Sequence, residues 1–436
     1  LYTMPEFLER RYNSTCRYLF SAFLAVGYIT AIIAGSLFAG AVALENLFGW
    51  NIYAGILILG VVTGAYAIYG GLISTAWTDF LQLFILTGGG ILVLVLGLSR
   101  VGGISQLMSD APDKFQVFLP ATHPLFPFTG VFTGFLSVGI WYNCTSQHIV
   151  QRCLGARDEW NARMGVVTAG FIHIVTPVLF VVPGIIAYKL FPNLERPDHA
   201  FPMLVKSILP AGLRGLILTA MAAALMSTLS SMLNSTSTLL TFDLYKRAWK
   251  PDADDKQLVR VGEWSGVLVL ITGILMACYY GSLEESFVFV LIQNIFAYIA
   301  PPFAVIFTLG ILWRRATGTA ALATIFGGFA FTYLLQYHLF ASVDFLRPYS
   351  NYLHRALLAW AFSMIVMIVV SLSTRPPSRE QTEGIIWSFK YSLLPPQEQK
   401  RYSGWKDFRI WWLAFVMAVL SIYGFFLWFQ FQHPIP

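Results

Sequence analysis

The stretch AAALMSTLSSMLNSTSTLLTFDLYKR, from Ala222 to Arg247, combines two properties that seldom occur together. It belongs to a long apolar run, yet nine of the twelve residues from 227 to 238 carry a hydroxyl or amide side chain. The spacing of Ser227, Ser231 and Asn234 places them on one face of a helix. Small and hydroxyl-bearing residues let membrane helices approach closely, and side-chain and backbone oxygens at the membrane midplane also bind coupling cations. This stretch alone leaves both interpretations open, helix packing and cation binding.

The composition of the 436-residue chain places this stretch in a membrane. Hydrophobic residues make up 57% of the chain and charged residues 11%, whereas a soluble domain carries about 25% charged residues. The surplus apolar surface must therefore face lipid. The net charge of +6 comes from basic residues that lie between apolar runs, which indicates membrane topology rather than a nucleic-acid partner. The four cysteines include no CxxC pair, so a disulfide scaffold or a cysteine metal site is not expected.

Eleven apolar runs are long enough to cross a membrane. A helix of about 20 apolar residues spans a hydrocarbon core of about 30 Å. The sequence therefore predicts an all-α polytopic protein with a single membrane domain over residues 1–436. The predicted spans are 18–44, 51–73, 76–99, 128–150, 164–188, 215–242, 264–283, 286–313, 316–343, 356–374 and 410–432.

The lysines and arginines predict the orientation of these spans. With eleven spans the two termini lie on opposite sides of the membrane, and twenty of the 28 basic residues fall on the side of the N-terminus. Cytoplasmic loops carry an excess of lysine and arginine. We therefore expect a protein of the cell (inner) membrane whose N-terminus in this chain is cytoplasmic and whose C-terminus lies outside.

The hydroxyl-rich helix and four further segments resemble, in the same order, the solute:sodium symporter family, and its sodium–glucose symporter-like branch in particular. The resemblance covers nearly the whole chain. It implies two inverted five-helix repeats of the leucine-transporter type, with sites at a broken helix in each. In that register the chain begins after the second helix of the first repeat, so we expect it to be N-terminally truncated, with the first helices missing. The further segments are YTMPEFLERRYN at the start, YAIYGGLISTAWTDFLQ (Tyr66–Gln82), WYNCTSQHIVQRCLGAR (Trp141–Arg157) and the stretch from Gln293 through PPFAVIFTLGILWRR to Arg315.

The resemblance implies a sodium site on the hydroxyl-rich helix. Ser227 and Thr228 would bind Na⁺ through their hydroxyls, and Ala224 through its backbone carbonyl. Asp79 is the only formally charged residue inside a predicted span. An isolated carboxylate there costs roughly 2.5–3.5 kcal/mol on insertion scales, so it is expected to have a partner or a role. A solvated position near the interface is the alternative, and the resemblance implies a place on the inward sodium release path.

Four residues are candidate solute contacts. Tyr142 matches the aromatic residue that stacks on bound sugar in the family, although an ordinary core or interface tyrosine is the alternative. Asn143 stands where the sugar transporters typically carry an aromatic residue, and His173 where they carry a lysine. From its surroundings His173 fits a core histidine bonded to a carbonyl as well as a solute ligand. Gln293 is an amide that must be hydrogen-bonded if buried, either to another helix or, as the resemblance implies, to a solute hydroxyl.

These features predict sodium-coupled symport of a small polar solute, a sugar or polyol, by alternating access. The alternatives are a sodium symporter for another small solute such as a monocarboxylate, and a transporter-like membrane sensor. An enzyme is not expected, because the ionisable residues within the spans are Asp79 and histidines on separate helices. A channel is disfavoured because the sequence has no motif for a charged or carbonyl-ring filter. The expected partners are Na⁺, the solute and the lipid bilayer, with Na⁺ as coupling ion and no other cofactor.

Overall fold

In the computed structural model the residues described are 2–194, 197–283, 288–389 and 393–434, and none of them forms a strand. Within these ranges four π-helical segments continue or interrupt the α-helices, at Tyr28–Ile33, Ile140–Thr145, Leu239–Trp249 and Leu335–Leu339. The α-helices are α1 (Met4–Arg11), α2 (Ser14–Gly27), α3 (Ala34–Phe48), α4 (Ile52–Val101), α5 (Ile104–Asp110), α6 (Phe128–Gly139), α7 (Gln147–Leu154), α8 (Glu159–Leu190), α9 (Ala200–Ile208), α10 (Ala211–Thr238), α11 (Asp255–Gly281), α12 (Val288–Leu312), α13 (Gly318–Leu334), α14 (Phe340–Ser342), α15 (Tyr352–Ser373), α16 (Pro396–Arg401) and α17 (Phe408–Gln432).

Nine helical stretches within the described ranges are long and apolar enough to cross a membrane, as in a multi-pass membrane protein. Two features make this count smaller than eleven. The predicted spans 51–73 and 76–99 both lie in α4. The span 128–150 is divided between α6 and α7, which are 12 and 8 residues long. The first two residues of the predicted span 286–313 lie outside the described residues. The number of eleven membrane crossings stays a prediction.

Gly71 divides α4 into two arms. Its φ of 60° and ψ of −165° lie in a region of backbone conformation that essentially only glycine occupies. The helical course breaks there although the residues on both sides are helical. Thr75 Oγ1 donates a hydrogen bond of 2.7 Å to the Gly71 carbonyl oxygen. The second arm carries Asp79, so this kink sets the position of the carboxylate.

Side-chain caps set where several helices begin. An Asn, Asp or Thr side chain accepts a hydrogen bond from a backbone N–H of the first turn, which stabilises a helix by about 1 kcal/mol. Each cap therefore marks the residue at which its helix begins. The capping residues are Asn13, Asn51, Asp158, Asp254, Thr317, Asn351 and Asp407.

The helices pack around one main core and a smaller one. α10 packs against both α4 and α11, while α12 and α13 pack against α15. Phe20 of α2 lies between Phe303 and Phe307 of α12, with its ring centroid 4.9 Å from each. The smaller core joins α4, α8 and α9 through buried residues such as Val93 and Ile186. The residues of the candidate site therefore stand on helices that are held by several neighbours.

The helices extend beyond the apolar runs and include charged residues that the sequence analysis placed outside them. The predicted span 215–242 ends before Asp243, but the π-helical segment continues α10 to Trp249. Asp243 is fully buried and pairs with Arg17 over 2.6 Å. Arg355, just before the predicted span 356–374, is 5% exposed in the first turn of α15. The helices thus continue past these two predicted span boundaries, which stay predictions, because an apolar run cannot show that a charge is paired or hydrogen-bonded inside a helix.

Candidate functional site

Asp79 lies in a polar cluster between α4, α7 and α10. Its carboxylate accepts a hydrogen bond from Ser227 Oγ and forms an ion pair with Arg152. Arg152 Nη2 also donates to Ser231 Oγ over 2.6 Å. The Asp79 side chain is 18% exposed and that of Arg152 is 37% exposed. The carboxylate therefore has partners in the structure, while its place on the sodium release path and the alternative of a solvated position near the interface stay predictions.

The hydroxyl-rich helix α10 uses its polar face in two ways. Ser227 and Ser231 both reach Asp79, the second with its Oγ 3.5 Å from Oδ2. Asn234 lines a separate cavity of about 440 Å³ together with Gly71. Its Nδ2 is buried and has no hydrogen-bond partner among the described residues. Of the three residues predicted to share one face, Ser227 and Ser231 thus contact Asp79, whereas Asn234 does not.

The three predicted sodium contacts lie within two turns of α10. Thr228 Oγ1 donates to the Ala224 carbonyl oxygen over 3.1 Å, so one hydroxyl and one carbonyl oxygen are adjacent. Ser227 precedes Thr228 and turns its hydroxyl to Asp79. Oxygen atoms of this kind are the ligands that hard cations prefer. Ser227 is the one residue that belongs both to the predicted sodium contacts and to the Asp79 cluster.

Tyr142, Asn143 and Gln293 line one cavity of about 330 Å³. Tyr142 and Asn143 lie in the π-helical segment that breaks the helix between α6 and α7, and Gln293 faces them from α12. The ring of Phe296 completes an aromatic wall, with its centroid 5.7 Å from that of Tyr142. The Asn143 amide donates to the Gly139 carbonyl oxygen over 3.1 Å. A cavity with aromatic walls and two amides has the groups to orient a small polar molecule.

His173 lies apart from this cavity. It is exposed on α8, and the residues lining the cavity do not include it. Among the described residues it is therefore not packed in a core. Its role as a solute ligand stays a prediction.

Helix α7 connects the cavity with the Asp79 cluster. His148 Nδ1 lies 3.2 Å from the Tyr28 hydroxyl, and the His148 ring stands edge-on to that of Tyr142 at 5.1 Å. One turn further along α7, Arg152 pairs with Asp79. An eight-residue helix thus contacts Tyr142 of the cavity at one position and the Asp79 carboxylate at another.

Sequence reasoning missed His148 and Arg152 as parts of the site. Both lie in the segment Trp141–Arg157 that carries the family resemblance. However, Arg152 lies just after the predicted span 128–150, where the sequence predicts a loop. A single histidine such as His148 does not indicate which residue it contacts. One signal in the sequence could have identified Arg152. It lies next to a helix expected to be broken, and the predicted spans contain a single carboxylate, Asp79, with which it could pair.

Charged residues also join α1 and α2 to the end of the π-helical segment after α10. Glu9 accepts hydrogen bonds from Arg247 over 2.6 Å and from Arg17 over 2.6 Å. Burial raises the pKa of Glu9, but the hydrogen bonds and charges of Arg247 and Arg17 outweigh burial and hold that pKa below its usual value. This cluster fixes the ends of the helices that position the site.

Known proteins resemble this chain over most of its length. The model of the Sodium:solute symporter family matches residues 1–328. The "Sodium/glucose cotransporter" of Vibrio parahaemolyticus is 32% identical over 402 residues, which are 86% of this chain and 72% of that protein. The "Sodium/myo-inositol cotransporter 2" of Homo sapiens is 30% identical over 449 residues, which are 91% of this chain and 66% of that protein.

A solved structure shares the fold. A Na⁺-coupled sialic acid symporter, in a substrate-bound outward-open state, superposes with a TM-score of 0.73 over 86% of this chain and 78% of that chain. The sequence identity is 21%, so this likeness concerns the fold alone. The all-α fold of the leucine-transporter type, predicted from the sequence, is confirmed.

Proposed function

Because this chain belongs to the sodium:solute symporter family, we propose that it moves Na⁺ and a small polar solute, a sugar or polyol, together across a membrane by alternating access. Its relatives are transporters, named for glucose and myo-inositol. The observation that carries the proposal is the contact of Ser227 with Asp79. In this contact a hydroxyl of the helix proposed to bind sodium lies against a carboxylate, which would attract a cation.

The Na⁺ contacts would be the hydroxyls of Ser227 and Thr228 and the carbonyl oxygen of Ala224. Asp79 supplies the negative charge next to them, and Arg152 balances that charge. A sodium ion and the Arg152 guanidinium therefore compete for the same carboxylate. When Na⁺ leaves past Asp79, Arg152 keeps the carboxylate neutralised, which lowers the cost of release into the inward path.

The solute would lie in the cavity at the broken helix. The Tyr142 ring offers a face for stacking, and the amides of Asn143 and Gln293 offer donors and acceptors for hydroxyl groups. None of these three side chains is charged, so the cavity suits an uncharged solute. His173 remains the fourth proposed contact, from α8.

The membrane potential supplies the driving force in this scheme. One charge that moves through 100 mV releases about 2.3 kcal/mol. A tenfold concentration ratio costs about 1.4 kcal/mol, so one Na⁺ per solute supports more than tenfold accumulation. We propose uptake into the cell, with the N-terminus of this chain cytoplasmic and the C-terminus outside, because most lysines and arginines then lie in the cytoplasm.

Sodium-dependent uptake into proteoliposomes tests the proposal. The full-length protein should accumulate radiolabelled glucose or myo-inositol with Na⁺ and not with K⁺. Ser227→Ala and Thr228→Ala each remove one oxygen ligand worth about 1 kcal/mol or more, so the Na⁺ concentration for half-maximal uptake should rise about fivefold or more. Ser421→Ala is the matched control, because its Oγ bonds the Met417 carbonyl oxygen on α17, away from the site. Equal uptake in Na⁺ and K⁺ would refute the coupling, and unchanged sodium dependence in both variants would refute the site.

A further inference from the structure

Arg355 is a positive charge in a membrane-spanning helix and has no carboxylate partner among the residues that the structure describes. Among the described residues, no Asp or Glu oxygen lies within 4.0 Å of its guanidinium. Its Nη1 donates to Gln336 Oε1 and its Nη2 to Asn294 Oδ1, each over 2.9 Å. Its Nε is buried and has no acceptor in the described part of the chain. The two amides orient the guanidinium, and the Tyr298 ring lies 6.0 Å from its central carbon, but none of these groups in the described part of the chain carries a negative charge.

This guanidinium lines a cavity of about 720 Å³ between α2, α12, α13 and α15. Arg355, Asn294 and Gln336 meet through their hydrogen bonds at one place in the cavity wall, and the lining also includes the hydroxyls of Thr30, Tyr298 and Tyr337. Most of the remaining wall is apolar and includes Phe23, Val26, Leu291, Ile295, Phe326 and Phe329.

The cavity opens sideways, toward the lipid. Val26 and Phe326 line it and are 54% and 59% exposed on helices that are apolar enough to span a membrane. A ligand that enters by this route comes from the bilayer. Arg355 lies three residues after the first residue of α15, about 5 Å along the helix, which is near the level of the lipid headgroups.

We propose that this cavity binds an anionic phospholipid, with its headgroup phosphate on Arg355 and an acyl chain along the apolar wall. Guanidinium groups bind phosphate with strong, charge-assisted hydrogen bonds, and the Arg355 Nε–H has no acceptor among the described residues. A free inorganic anion would have no use for the apolar wall. A zwitterionic lipid would bring an ammonium group to a place where the described residues offer no carboxylate.

Such a lipid would contact the helix that carries a proposed solute ligand. Asn294, which holds Arg355, directly follows Gln293 on α12, and the two side chains line different cavities. The lipid therefore packs against one face of α12 while the proposed solute contacts the other. The lipid site itself does not depend on what the transporter carries.

Native mass spectrometry of the full-length protein tests the site. We would add phosphatidylglycerol or phosphatidylcholine with the same acyl chains and compare the bound fractions. The wild type should prefer phosphatidylglycerol by about tenfold, the effect of one charge-assisted contact, and Arg355→Gln should remove the preference. Arg347→Gln is the matched control, since it removes the same charge at an exposed position with its own partner, Asp344.

Two further measurements complete the test. One distinguishes a bound lipid from a bound free anion, and the other distinguishes loss of lipid binding from a failure of the variant to fold. Inorganic phosphate at millimolar concentration should not displace the bound phosphatidylglycerol; displacement that depends on Arg355 would mean that a free anion is the ligand and would overturn the proposal. If Arg355→Gln does not fold, Val26→Trp narrows the opening and leaves the arginine and its amides in place. This variant should bind less phosphatidylglycerol. A wild type without lipid preference, or a preference that survives both substitutions, would also overturn the proposal.

Discussion

The Asp79→Asn substitution tests whether the carboxylate attracts sodium by its charge. Asparagine has nearly the same shape and still accepts a hydrogen bond from Ser227 Oγ, which contacts Asp79 in the protein. Arg152 loses its ion-pair partner but keeps Ser231 as an acceptor. The substitution therefore removes one negative charge and disturbs little else. The expected result is weaker binding of Na⁺ at the proposed site.

The magnitude follows from the shared hydroxyl. If Ser227 Oγ binds Na⁺ while it also contacts Asp79, the ion and the carboxylate are roughly 5 Å apart, and their attraction is about 3 kcal/mol at an effective dielectric constant of about 20. Because the Arg152 side chain is 37% exposed, water screens part of this attraction. We expect a net loss of about 1.5–3 kcal/mol, which corresponds to a rise of roughly ten- to hundredfold in the half-saturating Na⁺ concentration.

The Arg152→Gln variant makes the test decisive, because its expected sign is opposite. Removal of the positive charge ends the competition for Asp79, so Na⁺ should bind more tightly than in the wild type. The assay is equilibrium binding of ²²Na⁺ to the purified full-length protein, with Asp110→Asn as a control that loses an ion pair with Lys189, away from the proposed site. If both variants shift sodium affinity in the same direction, the pair acts by holding the helices together and the electrostatic reasoning is wrong.

Three further outcomes are expected. Glu9→Gln should reduce the loss of thermal stability in acid, because the folded-state pKa of Glu9 is lowered: the stability that Glu9 contributes is present above about pH 4.3 and is lost as the pH falls through the folded-state pKa. If the variant and the wild type lose the same thermal stability between pH 6 and pH 3, the role of the Arg247 contact is contradicted. His173→Gln should change the ranking of sugars and polyols as competitors for uptake while the sodium dependence stays the same; an unchanged ranking would remove His173 from the solute site. Gly71→Ala should lower the free energy of unfolding by about 1–3 kcal/mol because of its positive φ, whereas Gly88→Ala, with open space around a helical glycine, should change it little; equal melting temperatures would mean that the kink carries no such constraint.

Part of the candidate site could be predicted before the structure, for reasons that differ between residues. Ser227 stands in a dense run of hydroxyl side chains, which is a local property of the sequence. Asp79 was singled out because a carboxylate in an apolar run is costly. Tyr142 and Gln293 came from the family resemblance, and the structure brings both to one cavity. Their roles in binding remain predictions that the uptake experiments address.

The other parts depended on distances between residues far apart in the chain. Arg152 and Asp79 are 73 positions apart, and Arg17 and Asp243 are 226 positions apart. No periodicity relates such pairs, because the order of helices in the membrane decides which side chains meet. The same holds for Arg355, whose acceptors come from α12 and from the segment after α13.

The sequence by itself determined that this protein is helical and lies in a membrane, because apolar run length and the scarcity of charge are summed over neighbouring residues and need no partner. It also determined which helix is rich in hydroxyl side chains. Only the tertiary structure decided which charges are compensated, that α7 contacts both Tyr142 and Asp79, and that Arg355 has no acidic partner among the described residues. The physical reason is that the cost of a charge in the membrane depends on groups within a few ångströms, and chain folding alone brings those groups together.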